Sequence, residues 1–276
     1  MKMKLSIITI NYNNCVGLQK TIDSVIAQTW RNFEWIIIDG GSTDGSKELI
    51  SNLNDNPHAN ICFCCSEPDK GIFNAMNKGI DHAHGEYVNF MNSGDTFYSD
   101  DTLEKVFSEE RAGDVLYGDW EIVFSDHCLL GHGPEKMELY DLYSGRICHQ
   151  SIFTRLGLLQ RYKFDESFRI AADYLLAQKL FINGASYEHL DVIVSSFDAT
   201  GVSTVDFTNR EQEGNRIIRL LYSDNMLSTF KRLDEYEKNL LIQRVKNLMI
   251  KGGISAYLTK LCLRVLGKMF LNNKSL

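Results

Sequence analysis

The stretch Leu5-Ser-Ile-Ile-Thr-Ile10, followed at once by Asn11-Tyr-Asn-Asn14, indicates the fold class of this 276-residue chain. Its β-branched residues predict a short buried strand, and its polar continuation predicts a turn in which Asn14 caps a helix. The apolar residues of that helix recur at steps of three and four: Leu18, Ile22, Val25 and Ile26. The chain therefore opens with a strand that leads into a helix.

The same alternation of strand and helix continues to about residue 91. Buried-strand patterns lie at Phe33–Ile38, Ile61–Cys65 and Tyr87–Met91, and helical patterns lie at Ser46–Leu53 and Ile72–Ile80. In the second helical pattern, Ile72, Met76 and Ile80 are expected to share the buried face. This βαβα order predicts an α/β fold, an α/β/α sandwich whose central sheet is mostly parallel and whose crossovers are right-handed.

The composition fits one large α/β core with an appendage, since the chain has 44% hydrophobic residues and only three prolines. We expect an α/β domain over residues 1–205 and a helical, basic extension over residues 206–276.

The seven cysteines are odd in number, which favours reduced thiols in a cytosol over a disulfide framework. The cluster Cys62–Cys65 is interpreted as small buried residues of a strand rather than as a metal site.

The formal net charge of −7 is distributed unevenly along the chain. Residues 238–276 contain eight Lys and Arg and no Asp or Glu, so the preceding residues carry an excess of 15 acidic groups. An acidic body argues against non-specific nucleic-acid binding, which requires a basic face to neutralise phosphates. We therefore expect no nucleic-acid partner.

The basic tail carries apolar residues at helical spacing over Ile254–Leu271. A basic amphipathic helix of this kind lies on an anionic membrane surface, and the alternative is a helix packed on the main domain with a solvated basic face. No signal-peptide pattern precedes the first strand, and no apolar run of about 18 residues is present to span a membrane. The sequence predicts a cytoplasmic protein whose tail, residues 238–276, associates peripherally with the inner face of the cytoplasmic membrane.

Polar side chains follow each of the four predicted strands. They lie at Asn11–Asn14, at Asp39, at Glu67–Lys70 and at Asn92–Asp95. In open α/β sheets, ligands bind beyond the carboxyl ends of the strands, so these side chains predict a polar binding site along one edge of the sheet.

The segments that carry these residues resemble a known family. They are Ile36-Ile-Ile-Asp39-Gly-Gly-Ser-Thr-Asp44-Gly-Ser, Glu67-Pro-Asp-Lys-Gly-Ile-Phe-Asn-Ala-Met-Asn-Lys-Gly79, Asn92-Ser-Gly-Asp95 and Ile170-Ala-Ala-Asp173-Tyr. Together they resemble the inverting glycosyltransferases of family 2, which have the GT-A fold and use a nucleotide-sugar donor with a divalent metal. Within that family the chain is similar to enzymes that build bacterial capsule, exopolysaccharide and lipopolysaccharide O-antigen chains.

The resemblance implies a role for each matching residue. The donor side comprises Thr9 against the nucleotide base, Asp39 as acceptor of a hydrogen bond from that base, Asp69 and Lys70 at the border of the nucleotide pocket, and Asn11 and Asn92 at the strand ends. The acceptor side comprises Asp119, His149 and Gln150. Asp95 is expected to hold Mn²⁺ or Mg²⁺, and Asp173 is expected to be the general base.

Physical reasoning supports the last two roles independently. A leaving diphosphate develops negative charge, and Mn²⁺ or Mg²⁺ neutralises it while needing only one or two protein carboxylates, such as Asp95. Inversion needs a carboxylate that takes the proton of the attacking acceptor hydroxyl, and Asp173 lies where a helix is predicted to begin. The structural alternatives are turn chemistry for Asn92–Asp95, a helix-dipole carboxylate for Asp173 and a satisfied structural histidine for His149.

These patterns predict an enzyme that moves a sugar from a nucleotide-sugar donor, UDP-sugar first, to a glycan or lipid-linked saccharide acceptor. The alternative is a nucleotide-sugar-binding protein or a nucleotidyltransferase that performs no glycosyl transfer. A dehydrogenase is excluded, because Asn11-Tyr-Asn-Asn-Cys-Val-Gly17 lacks the G-x-G-x-x-G that dinucleotide binding places after the first strand.

Overall fold

A computed structural model describes residues 3–53, 56, 59–198 and 206–251. The chain divides into two compact units, Met1–Leu221 and Tyr222–Leu276. The sequence predicts that the extension begins at residue 206. The helix Phe207–Leu221 follows that residue, but the division into units assigns this helix to the first unit.

Four parallel strands form the first part of the central sheet, in the order β3-β2-β1-β4. They are β1 (Leu5–Asn11), β2 (Phe33–Asp39), β3 (Ile61–Ser66) and β4 (Tyr87–Phe90). Every residue of β1, β2 and β4 is buried, as expected for parallel strands covered on both faces. The predicted α/β fold and the parallel pairing of these four strands are confirmed.

Beyond β4 the sheet becomes mixed. Its further strands are β5 (Thr96–Phe97), β6 (Val115–Val123), β7 (Cys128–Gly131), β8 (Ile152–Arg155) and β9 (Tyr187–Asp198). Strand β8 pairs antiparallel with both β4 and β6, β9 pairs parallel with β6, β5 pairs antiparallel with β9, and β7 pairs only with β6 among the described strands.

Helices connect and cover these strands. In chain order they are α1 (Cys15–Ile26), α2 (Ser46–Leu53), α3 (Ile72–Asp81), α4 (Thr102–Phe107), α5 (Leu139–Tyr143), α6 (Leu156–Tyr162), α7 (Ala172–Ile182), α8 (Phe207–Leu221) and α9 (Asp224–Lys251). A 3-10 turn at His149–Ser151 leads into β8. Asn14 caps α1 as predicted, because its side chain accepts a hydrogen bond of 3.1 Å from the Gly17 N–H.

The buried face of α3 differs from the prediction at one residue. Ile72 is 38% exposed, whereas Phe73, Met76 and Ile80 are buried. Residues spaced by four drift around a helix with 3.6 residues per turn. The steps of three and four between Phe73, Met76 and Ile80 therefore keep these side chains on one face, and Ile72 falls to its side.

Two hydrophobic cores lie on opposite sides of the sheet. Alternate residues of β1 enter different cores, with Ile8 and Ile10 in one and Leu5 and Ile7 in the other. Because the strands run parallel, their polar carboxyl ends meet at one edge of the sheet.

In the second unit the structure describes α9, in which Phe230 packs edge-on against the ring of Tyr222, with the ring centroids 5.3 Å apart. The tail helix expected over Ile254–Leu271 lies outside the described residues. Among the described helices, none combines the length and the apolar character needed to cross a bilayer.

Candidate active site

The carboxyl ends of β1, β2 and β3 meet at Asp39. Asn11 and Ser66 are its direct neighbours in the sheet register on either side. Asp39 Oδ1 accepts hydrogen bonds from Asn11 Nδ2 at 2.7 Å and from Ser42 Oγ at 2.6 Å, and Oδ2 accepts from the Ser42 N–H at 2.9 Å and from Ser66 Oγ at 2.6 Å. The two oxygens thus fill about four acceptor positions with donors of the protein itself.

This environment sets the charge of Asp39. Burial opposes ionisation, but the hydrogen bonds from Ser42, Ser66 and Asn11 outweigh it and hold the pKa of Asp39 below its usual value. Asp39 lies at the end of β2, as predicted from the sequence. It can accept a further hydrogen bond from a base only if one of its present donors turns away. Sequence reasoning missed two of these partners: Ser42, which lies three residues after Asp39, and Ser66, which becomes a partner only when β2 and β3 pair.

Thr9 does not lie at the surface of this site. Its side chain is fully buried, and Oγ1 donates to the Met91 carbonyl at 2.8 Å while accepting from Trp35 Nε1 at 3.0 Å. The Thr9 side chain is thus engaged inside the sheet, and the expected contact of Thr9 with a bound base stays a prediction. The Thr9 hydroxyl ties β1 to its neighbours in the sheet.

Asp69 lies across a small gap from Gly40. A Cβ atom placed on Gly40 would come within 2.7 Å of Asp69 Oδ2 and 3.1 Å of Tyr12 Cδ2, so the glycine lets both side chains approach the end of β2. Asp69 Oδ1 accepts from the Gly71 N–H at 2.8 Å, and the Lys70 side chain is exposed beside it. Tyr12, which sequence reasoning missed, is 67% exposed and offers an aromatic face at this border.

The turn Asn92–Asp95 follows β4 and is held by α1. Thr21 Oγ1 lies 3.0 Å from the Asn92 carbonyl and 2.7 Å from the Asp95 carbonyl, and it accepts from the Gly94 N–H at 3.0 Å. Gly94 has a φ of 104°, a left-handed value that a side chain would strain. Asn14 Nδ2 also donates to the Ser93 carbonyl at 3.0 Å, so the cap of α1 fixes the same turn.

Asp95 is a partly buried carboxylate. Burial raises the pKa of Asp95 to about 6. The nearby positive charge of His149 and a hydrogen bond of 3.2 Å from Gln150 Nε2 to Asp95 Oδ2 lower the pKa but do not offset the effect of burial. The charge of Asp198 raises the pKa further. An anion held under such conditions is stabilised by a cation.

The donor set at this turn fits one divalent cation shared with a ligand. Asn92 Oδ1 is buried and has no hydrogen-bond partner in the described part of the chain, and Asp95 provides a carboxylate three residues later. Mn²⁺ and Mg²⁺ bind through few protein oxygens when phosphate oxygens and waters complete the shell. Among the described residues, no group of three or more His, Cys, Asp or Glu side chains is placed to hold a metal by itself.

His149, the residue before Gln150, is in contact with Asp173. Asp173 lies in the first turn of α7, and its Oδ2 is 3.3 Å from His149 Nδ1. Burial lowers the pKa of His149, but its contact with Asp173 and the charges of Asp173 and Asp95 raise it above its usual value overall. The structure thus brings together four predicted residues through one 3-10 turn: Asp95, His149, Gln150 and Asp173.

Helix α8 holds the segment that precedes Asp173, which sequence reasoning missed. Glu213 accepts hydrogen bonds from the backbone N–H groups of Arg169, Ile170 and Ala171, at 2.6, 2.9 and 2.9 Å. One turn later, the Arg216 guanidinium lies 4.1 Å above the Phe168 ring. No local pattern announces these contacts, because more than 40 residues separate the partners.

Asp119 belongs to a different set of contacts, on β6. Its carboxylate accepts from the Gly133 N–H at 3.0 Å and lies 2.6 Å from His132 Nδ1 and 3.6 Å from His189 Nε2. Its backbone carbonyl accepts a hydrogen bond of 3.0 Å from Ser151 Oγ of the 3-10 turn. The Asp119 side chain thus binds the segment that follows β7, at His132 and Gly133, and belongs to a different set of contacts from Asp95 and Asp173.

The family model that matches this chain and two similar curated proteins are all described as glycosyltransferases. The family model described as glycosyl transferase family 2 matches residues 6–144, a range that ends before His149 and Asp173. A PGL/p-HBAD biosynthesis glycosyltransferase of Mycobacterium bovis is 31% identical over 71% of this chain and 77% of its own length. An uncharacterized glycosyltransferase of Rickettsia prowazekii is 25% identical over 92% of this chain and 77% of its own length.

Solved structures share the fold at lower identity. Residues 1–349 of S. aureus TarS, in complex with UDP-GlcNAc, align with a TM-score of 0.67 and 20% identity, covering 79% of this chain and 65% of that one. The mannosyltransferase PcManGT of Pyrobaculum calidifontis, in complex with GDP-Man and Mn²⁺, aligns with a TM-score of 0.62 and 16% identity, covering 98% of this chain and 81% of that one.

Proposed function

The chain belongs to glycosyl transferase family 2 and is a glycosyltransferase with a GT-A fold, and from this we propose that it moves a sugar, with inversion and with the help of a divalent cation, from a nucleotide-sugar donor to a saccharide acceptor. The observation that carries the proposal is the pair of consecutive residues His149 and Gln150. His149 contacts Asp173, and Gln150 contacts Asp95. A carboxylate suited to a metal and one suited to a base therefore flank a single turn.

Asp173 is the proposed general base. It takes the proton of the acceptor hydroxyl as that oxygen attacks C1 of the sugar, while the bond between C1 and the diphosphate oxygen breaks on the opposite face. Asp95 and Asn92 are the residues that would hold Mn²⁺ or Mg²⁺. The chemistry that such an ion supplies when bound is neutralisation of the charge that develops on the leaving diphosphate.

The proposed donor is a UDP-sugar, with a GDP- or dTDP-sugar as the second choice. The N3–H of uracil needs an acceptor, and Asp39 becomes available to it when the Ser42 or Ser66 hydroxyl rotates away. Tyr12 offers a face on which a base can stack, and Asp69 and Lys70 border the same space. TarS was solved with UDP-GlcNAc and PcManGT with GDP-Man, which supports testing both bases.

The proposed acceptor is a glycan or a lipid-linked saccharide of the cell surface, in capsule, exopolysaccharide or lipopolysaccharide synthesis. The mycobacterial relative is named for PGL/p-HBAD biosynthesis, which supports an acceptor of the cell envelope. We further propose that the protein acts in the cytoplasm and that residues 238–276, with their eight Lys and Arg, bind the membrane peripherally.

Donor binding can be tested by thermal unfolding of the full chain with UDP-hexoses, UDP-N-acetylhexosamines and GDP-mannose, with Mn²⁺ or with EDTA. A ligand that binds only the folded state raises the melting temperature. We expect at least one nucleotide sugar to raise it with Mn²⁺ and not with EDTA. Equal stabilisation in EDTA would contradict the proposed metal dependence.

Membrane binding is tested by sedimentation with anionic liposomes at low salt. The triple variant Lys260→Gln, Arg264→Gln and Lys268→Gln removes three cations and keeps the apolar residues. We expect the parent to sediment and the variant to remain largely in the supernatant. Equal behaviour of the two proteins would favour a tail that is packed on protein.

A further inference from the structure

Both ring nitrogens of His149 already have partners. Nδ1 lies 3.3 Å from Asp173 Oδ2, and Nε2 lies 3.3 Å from Asn92 Nδ2. The side chain is 30% exposed. A bound acceptor could contact a ring nitrogen only by displacing Asn92 or Asp173, so the ring is placed to serve the protein rather than the acceptor.

We propose that His149 is a positioning residue that orients the Asp173 carboxylate through Nδ1, and that Asn92 selects the tautomer required for this. The proposal rests on the proposed role of Asp173 as general base, and it replaces the acceptor contact expected for His149. It links the strand end that carries Asp95 with the helix that carries the base.

The tautomer follows from the chemistry of the two partners. The pKa of His149 is raised, so the ring is mostly neutral only at a pH above that pKa. The Asn92 amide nitrogen is a donor, so Nε2 of the neutral imidazole faces it as an acceptor, and the single ring proton resides on Nδ1. Nδ1 is the ring nitrogen in contact with Asp173, 3.3 Å from Oδ2. The partner of Nε2 thus decides that Nδ1 carries the proton and faces Asp173. Metal-binding histidines are oriented in the same way, by a hydrogen bond at the ring nitrogen that does not bind the metal.

The second donor matters because a carboxylate turns easily about its last torsion. Asp173 Oδ1 accepts from the backbone N–H of Tyr174 at 2.8 Å, and His149 holds Oδ2. Two donors on two oxygens fix the plane of the carboxylate. A general base works only within hydrogen-bond reach of the proton that it removes, so a freely turning group loses productive geometry.

The turn that carries His149 is itself firmly anchored. The fully buried Asn89 side chain donates to the carbonyls of Gln150 and Ile152, each at 2.9 Å. Ser151 Oγ lies 2.7 Å from Ser195 Oγ. The imidazole is therefore presented from a rigid support, as positioning requires.

Two substitutions distinguish the role of Nδ1 of His149 from that of Nε2. In His149→Asn the amide nitrogen can occupy the position of Nδ1, whereas in His149→Gln it can occupy the position of Nε2. Turnover is to be measured with the UDP-hexoses, UDP-N-acetylhexosamines and GDP-mannose in Mn²⁺. We expect His149→Gln to lower kcat about 10–100-fold, with the donor KM nearly unchanged, and His149→Asn to retain most of kcat. Equal loss in both variants, or a raised acceptor KM with kcat unchanged, would overturn the proposal.

A measurement that needs no substrate tests the tautomer directly. In ¹⁵N spectra of the full chain at high pH, with His149→Gln used for assignment, we expect His149 to carry its proton on Nδ1. Asn92→Ala should move the proton toward Nε2, the position usually preferred by solvated histidines. A proton on Nε2 in the parent would overturn the proposal.

The result also separates this inference from the proposed function. If Asp173→Asn keeps full turnover, the assignment of the base fails. If Asp173→Asn is inactive while His149→Asn and His149→Gln behave alike, only the role of His149 fails.

Discussion

Gln150 Nε2 donates a hydrogen bond of 3.2 Å to Asp95 Oδ2, so the residue next to His149 holds the carboxylate proposed to bind the metal. A neutral amide stabilises this anion only partly, and burial raises the pKa of Asp95 to about 6. The fold therefore keeps a site that is poorly satisfied without a cation. Such a site is expected to lower stability in exchange for function.

The raised pKa of Asp95 predicts how the metal-free protein responds to pH. Between about pH 4 and 6 the folded state holds a proton that the unfolded state has released, so this contribution to stability is present below that window and is lost as the pH rises through it. We expect Asp95→Asn to raise the free energy of unfolding at pH 7.5 by about 1–3 kcal/mol and to change it little at pH 4.

Urea unfolding in EDTA at both pH values measures this effect. The exposed Asp126→Asn serves as a matched control, and it should leave stability unchanged at either pH. Added Mn²⁺ with UDP should stabilise the parent and not Asp95→Asn. Destabilisation by Asp95→Asn at pH 7.5 would argue that the carboxylate is structural.

Asp39 is predicted to have the opposite effect on stability. Because its pKa is lowered, its contribution is present above the unfolded-state pKa of about 4 and is lost as the pH falls through the lower folded-state value. Asp39→Asn turns an amide toward donors that need an acceptor, so we expect a loss of about 2–4 kcal/mol in the free energy of unfolding at pH 7. Unchanged urea unfolding of Asp39→Asn would show that the hydrogen bonds of this cluster contribute little.

Tyr12 should act on ligand binding and not on the fold, because 67% of it is exposed. We expect Tyr12→Ala to weaken binding of UDP with Mn²⁺ by about 1–3 kcal/mol, the usual value of a base stacked on an aromatic ring. Tyr12→Phe keeps the ring and should bind as the parent does. Calorimetric titration checks both variants, and undiminished UDP affinity of Tyr12→Ala would remove the ring from the nucleotide pocket.

Glu213 is predicted to stabilise the start of α7. Glu213→Ala leaves three backbone N–H groups without their charged acceptor, so we expect the free energy of unfolding to fall by about 1.5–3 kcal/mol. Glu211→Ala, at an exposed position of the same helix, should change it by less than about 0.5 kcal/mol. If chemical denaturation finds the two variants equally stable, the three hydrogen bonds are not formed in solution.

The parallel part of the sheet was predictable because its signals are local. The runs at β1, β2 and β4 are buried on both faces, and such strands appear in the sequence as continuous apolar segments, whereas β3, which lies outside β2 in the sheet order, is only partly buried. Strand β7 was not predicted: its apolar residues Cys128, Leu129 and Leu130 are exposed, and among the described strands it pairs only with β6. Its existence depends on a partner strand rather than on its own sequence.

The site divides in the same way. Asp39, Asp95 and Asp173 were predicted because each stands at the end of a strand or the start of a helix, which is visible in sequence. The contacts of Glu213 with the segment before α7, and of Ser66 with Asp39, join elements distant in the chain, so no spacing reveals them. The hydrogen bond that the Thr9 hydroxyl accepts from Trp35 was likewise not visible in the sequence, because it joins side chains of two different strands.

The most direct test compares the parent with Asp173→Asn in transfer from the nucleotide sugar that binds in Mn²⁺ to p-nitrophenyl glycoside acceptors, with donor affinity measured in parallel. We expect the parent to form a product of inverted anomeric configuration by NMR. Asp173→Asn should bind the donor equally and transfer it about 10²–10⁴-fold more slowly. A retained configuration, or transfer by Asp173→Asn at the parent's rate, would contradict glycosyl transfer with Asp173 as the inverting base.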